Sequence, residues 1–273
     1  MPQNAFSFFS FCNKKIRGAG GGGDCLRGNV LSRLIATKVF TMPEGKKVQR
    51  MFARIASRYD LANCLLSAGA CRHWTRVLAD LVARESPQLV VDLATGSGDV
   101  ALELAKKLPP TTRILGVDFC EEMLDVARGR RAKIAGGDNV EFAFGDCMDL
   151  PLDADSVDAL TIAYGIRNFE NRPRGLREMH RVLRRGGKAF VLEFTQPARA
   201  FSPFYFLYLK FVLPLLARVI TGDKNAYDYL TSSIEAFPPK EKITQELRAA
   251  GFENVRAIGL TFSIVAIHVA EKK

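Results

Sequence analysis

The sequence predicts an α/β fold: a mostly parallel sheet of seven strands, helices on both faces, and an antiparallel hairpin at the end. Three observations carry this. Apolar runs at 89–93, 114–117, 140–144, 157–163 and 188–194 alternate with helical stretches, the pattern of successive β–α units. The first three runs end at aspartates, Asp92, Asp118 and Asp146; Gly96 and Gly98 follow the first, and Gly145 directly precedes the third. Two further strand-like runs, 255–259 and 262–269, are too close together to enclose a crossover helix, so they pair antiparallel.

The helices follow from the same reading. Residues 99–108 place Val100, Leu102, Leu104 and Ala105 on an apolar face. Residues 121–134 begin with acids and end with basic residues, which complements the helix dipole. Residues 174–183 are helical and are expected to close at Arg184-Arg185-Gly186-Gly187, a basic last turn and a glycine stop. Residues 241–250 form a helix stopped by Gly251.

The 273 residues suit one large domain or two small ones, and 48% apolar content is enough for a full core. No uninterrupted apolar run reaches the roughly 18 residues of a spanning helix. The net charge of +10 invites a nucleic-acid partner, but its distribution argues against one. Nine Lys/Arg and only two acids lie in residues 1–50, leaving 30 basic and 27 acidic residues in 51–273. Six cysteines form no C-x-x-C pair and only three histidines are present, so no zinc site is expected, and reduced thiols imply a cytoplasm-like compartment. Residues 1–42, with the glycine run at 18–23, read as a flexible basic extension. They also fit an organelle transit peptide, which would place the protein in a matrix, or sequence upstream of a start at Met42. The fold is assigned to 43–273.

Gly96-x-Gly98-x-x-Ala101 satisfies a dinucleotide pattern. The acids decide against that ligand. Asp92 lies beneath the loop and Asp99 follows it, and carboxylates there oppose a pyrophosphate. S-adenosylmethionine carries an ammonium and a sulfonium and no phosphate, so an acidic floor suits it. Gly96 and Gly98 allow close backbone approach, and Ser97 adds a hydroxyl. Asp118 is placed to accept from the ribose hydroxyls and Asp146 from the adenine amino group, with the Cys147 N–H facing a ring nitrogen. A parallel sheet ending in an antiparallel hairpin is likewise a feature of the Rossmann-like class I S-adenosylmethionine-dependent methyltransferases.

Several stretches resemble one family, the ubiquinone/menaquinone biosynthesis C-methyltransferases. They are Phe52-Ala-Arg-Ile-Ala-Ser-Arg-Tyr-Asp-Leu-Ala-Asn63, Tyr164-Gly-Ile-Arg-Asn168, Arg181-Val-Leu-Arg-Arg-Gly-Gly187, Leu192-Glu-Phe-Thr-Gln-Pro197 and Tyr227-x-Tyr-Leu-x-x-Ser-Ile234. The resemblance covers about residues 43–271. It implies methylation of a ring carbon of a prenylated hydroquinone, demethylmenaquinol to menaquinol, or the corresponding methoxybenzoquinol in ubiquinone synthesis, with no metal. This sequence has Asp146-Cys147 where relatives often carry Asn-Ala, and Ala163 where many carry Ser.

Carbon methylation needs an aligned ring and a group that stabilises the phenolate or accepts its proton. Arg167 and Asn168, after the fourth strand, are the candidates, with Tyr59, Asp60 and Asn63 closing over the substrate. A plain ion pair of Arg167 with Glu170 or Glu193 is the competing reading. His73, His180 and His268 read as solvated or packed. The apolar insertion 198–236 includes an aromatic run interrupted by Lys210, Pro214 and Arg218. It fits a helical cap over the core and also a lid for an isoprenoid tail in contact with a membrane surface, at the inner membrane face. A homodimer is compatible with the sequence. A nicotinamide-dependent oxidoreductase and a non-catalytic cofactor-binding subunit are the alternatives, disfavoured by Asp92 with the terminal hairpin and by Arg167-Asn168 respectively.

Overall fold

The computed structural model describes residues 49, 53, 67, 69–134, 136–198, 200–208, 211 and 233–273. The extension 1–42, Tyr59, Asp60 and Asn63, and the stretch holding Lys210, Pro214 and Arg218 lie outside the described residues.

In chain order the elements are α1 (Ala70–Ala83), β1 (Leu89–Leu93), α2 (Asp99–Lys107), β2 (Arg113–Asp118), α3 (Glu121–Arg131), β3 (Val140–Phe144) and β4 (Val157–Ala163). They continue with α4 (Arg172–Val182), β5 (Leu183–Phe194), α5 (Ser202–Leu207), α6 (Lys240–Ala249), β6 (Glu253–Leu260) and β7 (Val265–Glu271). The sheet order is β3-β2-β1-β4-β5-β7-β6. The first five strands are parallel, and β7 runs antiparallel to both β5 and β6. The seven strands and the terminal hairpin are those the sequence predicts. The order reverses between β1 and β4, so the chain leaves their carboxyl ends in opposite directions and opens the crevice where such sheets hold ligands.

Side-chain alternation divides the core between the two faces. Val91, Leu93, Leu160, Ile162 and Val191 pack with Leu176 and Met179 of α4 and Ile243 and Leu247 of α6. Val90, Phe190, Leu192 and Ile267 pack on the other face with Trp74 and Leu78 of α1 and Leu104 of α2. His73 lies on the exposed side of α1. His268 is buried in β7 with Nε2 2.9 Å from the Lys240 carbonyl, and His180 meets Phe252 edge-on at 5.1 Å between centroids.

Two connections differ from the sequence expectation. Arg184-Arg185-Gly186-Gly187 does not close α4; β5 begins at Leu183, which pairs with Val157. The pairing then jumps to Lys188 opposite Ala159, so the extra residues form a bulge. Gly186 takes φ +75°, and a Cβ on Gly187 would lie 2.9 Å from two carbonyl oxygens, so the glycines serve the bulge rather than a helix stop. At the other end, 261–263 is a turn, not the start of a strand. Thr261, Phe262 and Ser263 have φ of 46°, 55° and 62°. Trp74 Nε1 holds this turn by donating to Thr261 Oγ1 at 2.8 Å. Three successive left-handed non-glycine residues are costly, and fixed partners must sustain them.

Gly116 connects the core to the crevice. A Cβ there would lie 2.6 Å from the Phe142 ring and 2.9 Å from Thr95 Oγ1. Gly116→Ala should destabilise the protein by about 1–3 kcal/mol through overpacking. Gly129→Ala, with nothing within 4 Å in α3, should be neutral or stabilising. Urea unfolding of both variants checks the contrast.

Candidate active site

The loop between β1 and α2 is shaped by left-handed residues. Ala94, Gly96 and Gly98 have φ of 49°, 55° and 85°. A Cβ on Gly98 would lie 2.9 Å from Phe142 Cζ and 3.2 Å from Ala127 Cβ, so both conformation and space require glycine there. The Thr95 N–H donates to the Val117 carbonyl at 3.0 Å, which fixes the loop against the end of β2.

Asp92 lies under this loop, 1% exposed. Its two carboxylate oxygens accept from the Thr95 and Thr161 hydroxyls, each at 2.6 Å. Burial pushes its pKa up to about 7, against the opposing pull of the two hydroxyls. Asp118 ends β2 and is also buried. It accepts from the Gly96 N–H at 2.8 Å and the Cys120 N–H at 2.9 Å, one on each oxygen. Burial raises its pKa to about 6, with those N–H groups pulling it down. A carboxylate has about four lone-pair sites, so accepting one N–H on each oxygen leaves capacity for a diol.

The ends of the first three strands converge. Gly145 donates its N–H to the Asp118 carbonyl at 3.0 Å, and a Cβ on it would lie 2.8 Å from Val117 Cγ1. Half-buried Asp146 accepts from the Met148 N–H at 2.8 Å. Cys147 is buried beside Asp118, and its thiol is pushed well above the ordinary range by burial. From the N-terminal side, Gln49 Nε2 donates to the Phe119 carbonyl at 2.7 Å, covering the loop after β2. Asp92, Gly96, Gly98, Asp118, Asp146 and Cys147 are thus brought to one crevice.

Ser97 and Asp99 face a different partner. Arg130 of α3 donates to the Ser97 carbonyl at 3.1 Å and its Oγ at 3.2 Å, and pairs with Asp99 at 2.5 Å. The acidity of the floor therefore rests on Asp92 and Asp118, because Asp99 is neutralised. Thr95, Thr161 and Arg130 were not marked by any sequence pattern. A threonine inside the apolar run 157–163 is the one available signal, since a buried hydroxyl needs a partner.

Beyond β4 the chain turns at Tyr164, with φ 56°. A Cβ on Gly165 would lie 2.6 Å from Ala94 Cβ, so this turn touches the glycine loop directly. Arg167 follows within a 3-10 turn, Ile166–Asn168. Its side chain is 4% exposed and pairs with Glu193, 2% exposed, at 2.9 Å. Arg167 Nη1 also donates to the Tyr164 carbonyl, and its guanidinium lies 5.6 Å from the Phe194 ring centroid. Asn168 Nδ2 donates to the same carbonyl at 3.5 Å. Phe194 packs on Tyr164 at 5.2 Å, and Tyr205 of α5 is buried with its phenol pushed up by desolvation. Arg167 and Asn168 therefore flank the crevice, and Glu193 is the ion-pair partner. Tyr59, Asp60 and Asn63 fall outside the described residues.

The residues present suit S-adenosylmethionine: glycines where a Cβ would block approach, Asp118 with spare acceptor capacity, and a buried acidic floor. Asp118→Asn should weaken its binding about tenfold or more, the scale of a lost charged hydrogen bond. Affinity of the unaltered protein should level off only above about pH 7 and fall as pH drops through about 7 and then about 6, where Asp92 and Asp118 in turn gain their protons. Stability of the ligand-free protein runs the other way. The folded pKa of Asp92 lies above its ordinary 3.8, so folding is favoured at low pH and loses that contribution as pH rises through about 7. Calorimetric titration and thermal melts between pH 5 and 8 check both signs.

Comparison with known proteins agrees with this fold. Solved structures of similar fold include a SAM-dependent methyltransferase from Thermotoga maritima (TM-score 0.55, 19% identity, 82% of this chain and 99% of that one). Another comes from Aquifex aeolicus (TM-score 0.52, 19% identity, 70% and 88%). Closer in sequence are two proteins named demethylmenaquinone methyltransferase. One, from Deinococcus radiodurans, is 43% identical, covering 84% of this chain and 94% of that protein. The other, from Thermus thermophilus, is 45% identical, covering 81% and 100%. A Geobacter protein named ubiquinone/menaquinone biosynthesis C-methyltransferase UbiE is 38% identical, covering 84% and 97%. The model of the ubiE/COQ5 methyltransferase family matches residues 40–272, and the chain belongs to that family.

Proposed function

We propose that this enzyme transfers the methyl group of S-adenosylmethionine to a ring carbon of a prenylated hydroquinone, converting demethylmenaquinol to menaquinol. The observation that carries the reading is the buried Arg167 beside the glycine loop, in a chain 43–45% identical to proteins named for that reaction. The methoxybenzoquinol step of ubiquinone synthesis is the second reading, favoured by the double name of the Geobacter relative.

When bound, S-adenosylmethionine supplies an electrophilic methyl group. The ring carbon becomes nucleophilic as the neighbouring hydroxyl loses its proton, and a phenolate needs fixed, strongly polarised N–H donors. Arg167 supplies them in a water-poor setting, where such donors act strongly even with Glu193 balancing the guanidinium charge. A guanidinium stays protonated, so Arg167 stabilises the oxyanion while the hydroxyl proton passes to water; the ring carbon–methyl bond then forms as the sulfur–methyl bond breaks, and the displaced ring proton also leaves to water. Asn168 braces the same turn through the Tyr164 carbonyl. Tyr164, Phe194 and Tyr205 offer an aromatic wall for the ring.

An apolar rim supports contact with the bilayer in which a prenylated substrate lies. Phe204, Leu207, Phe211 and Phe262 are 58–68% exposed, and Phe262 stacks on Phe201 at 4.8 Å. Residues 200–208 and 257–267 carry no Lys, Arg, Asp or Glu, and Lys240 of α6 reaches the second segment at Ser263 Oγ, 3.3 Å away. Among the described residues no helix is long and apolar enough to cross a membrane; the exposed aromatic rim is what supports contact with the membrane surface.

Incubation with labelled S-adenosylmethionine should label demethylmenaquinol in preference to a prenylated methoxybenzoquinol; label in neither product rejects the reading. Arg167→Ala should lose at least about a hundredfold in turnover, the scale of one oxyanion donor, and unchanged turnover would refute its role. Phe204→Ser with Phe262→Ser should reduce cosedimentation with liposomes; undiminished binding would refute the rim.

A further inference from the structure

The Arg167–Glu193 pair raises a difficulty that its chemistry resolves. The cofactor's sulfonium is a cation, and the turn carrying Arg167 touches the glycine loop through Gly165 and Ala94. A buried guanidinium at that place would repel a sulfonium as well as attract a phenolate. Glu193 lies at the same place and is itself buried. One of its oxygens accepts from Arg167 Nη1 at 2.9 Å and from the Phe194 N–H at 2.9 Å. The other accepts from the Arg167 N–H at 3.3 Å. The carboxylate thus grips the side chain and the backbone of one residue, anchored on its own strand.

We propose that Glu193 is a positioning residue that also cancels the charge of Arg167, so that the site admits a cationic methyl donor before any phenolate forms. The inference rests on the methyltransferase reading given above. Charge balance explains a carboxylate kept in an apolar setting where a hydrophobic residue would be less costly to bury. It also sets the sequence of charges at the site. The neutral pair tolerates the sulfonium, the phenolate then meets Arg167 Nη, and the product S-adenosylhomocysteine, a neutral thioether, loses the attraction to the acidic floor.

The difference between sulfonium and thioether supplies a test that does not depend on turnover. Affinities for S-adenosylmethionine and S-adenosylhomocysteine are measured by calorimetry, and their ratio reports the local charge. Glu193→Gln should weaken S-adenosylmethionine relative to S-adenosylhomocysteine by roughly three- to tenfold, the effect of one uncompensated charge at a partly screened distance. Glu193→Asp keeps the charge, so the ratio should stay at the unaltered value while kcat falls and KM for the donor holds. The double variant Arg167→Gln with Glu193→Gln should return the ratio to the unaltered value. A folded Glu193→Gln with an unchanged ratio, or with both ligands weakened equally, overturns the charge role. Should Glu193→Gln not fold, Arg167→Gln at pH 9 carries the test with reversed sign. The remaining carboxylate should favour S-adenosylmethionine, and an unchanged ratio overturns the proposal. Unaltered protein that binds neither ligand overturns the cofactor reading itself, a result distinct from insensitivity of the ratio.

Discussion

The site depends on one buried carboxylate. Asp92 sits at the end of β1 with almost no access to water, and such a group persists only if hydrogen-bond donors replace the solvent it has lost. The two hydroxyls that do so come from different places, Thr95 in the glycine loop and Thr161 in β4. One side chain therefore joins the strand, the loop and the neighbouring strand on the other side of the crevice. Thr95 Oγ1 in turn lies where a Cβ on Gly116 would intrude, and its N–H is fixed by the Val117 carbonyl. The loop geometry is set by polar bonds among β1, β2 and β4 rather than by the glycines alone.

The same economy governs the far side of the crevice. Arg167 and Glu193 are both removed from water, and each would be strongly destabilising without the other. Burial makes their geometry precise, because neither side chain has a solvated alternative. The floor under the glycine loop is acidic and the wall beyond β4 is a balanced pair, so the two sides of the crevice differ in charge.

Much of this was legible from the residues. The alternation of apolar runs, the three strand-end aspartates and the short last connection gave the sheet its strands and its antiparallel end. The motif around Arg167 pointed to the crevice. What could not be read was which polar groups pair across long separations. Thr161 lies 69 residues from Asp92, and Arg130 lies 33 from Ser97. No local periodicity encodes such partners. The glycines at 186 and 187 misled for a related reason. A basic turn followed by glycine is also what a bulge at the mouth of a strand requires, and pairing of Leu183 with Val157 decided between them. The strained turn at 261–263 was hidden in the same way, because its stabilising contact is Trp74, far away in α1.

The place of β7 has a consequence for how the chain is made. It is the latest strand in sequence, yet it lies inside the sheet, between β5 and β6. Until residues 265–271 have been synthesised, β5 presents an unpaired edge of apolar residues, the kind of edge that recruits foreign strands. Completion of the sheet closes that edge and, through the 261–263 turn, brings Phe262 against Phe201 beside the crevice. The nascent protein is thus exposed to misassociation between the completion of β5 at residue 194 and that of β7 at residue 271, and its aromatic rim is assembled in the same event that ends the exposure.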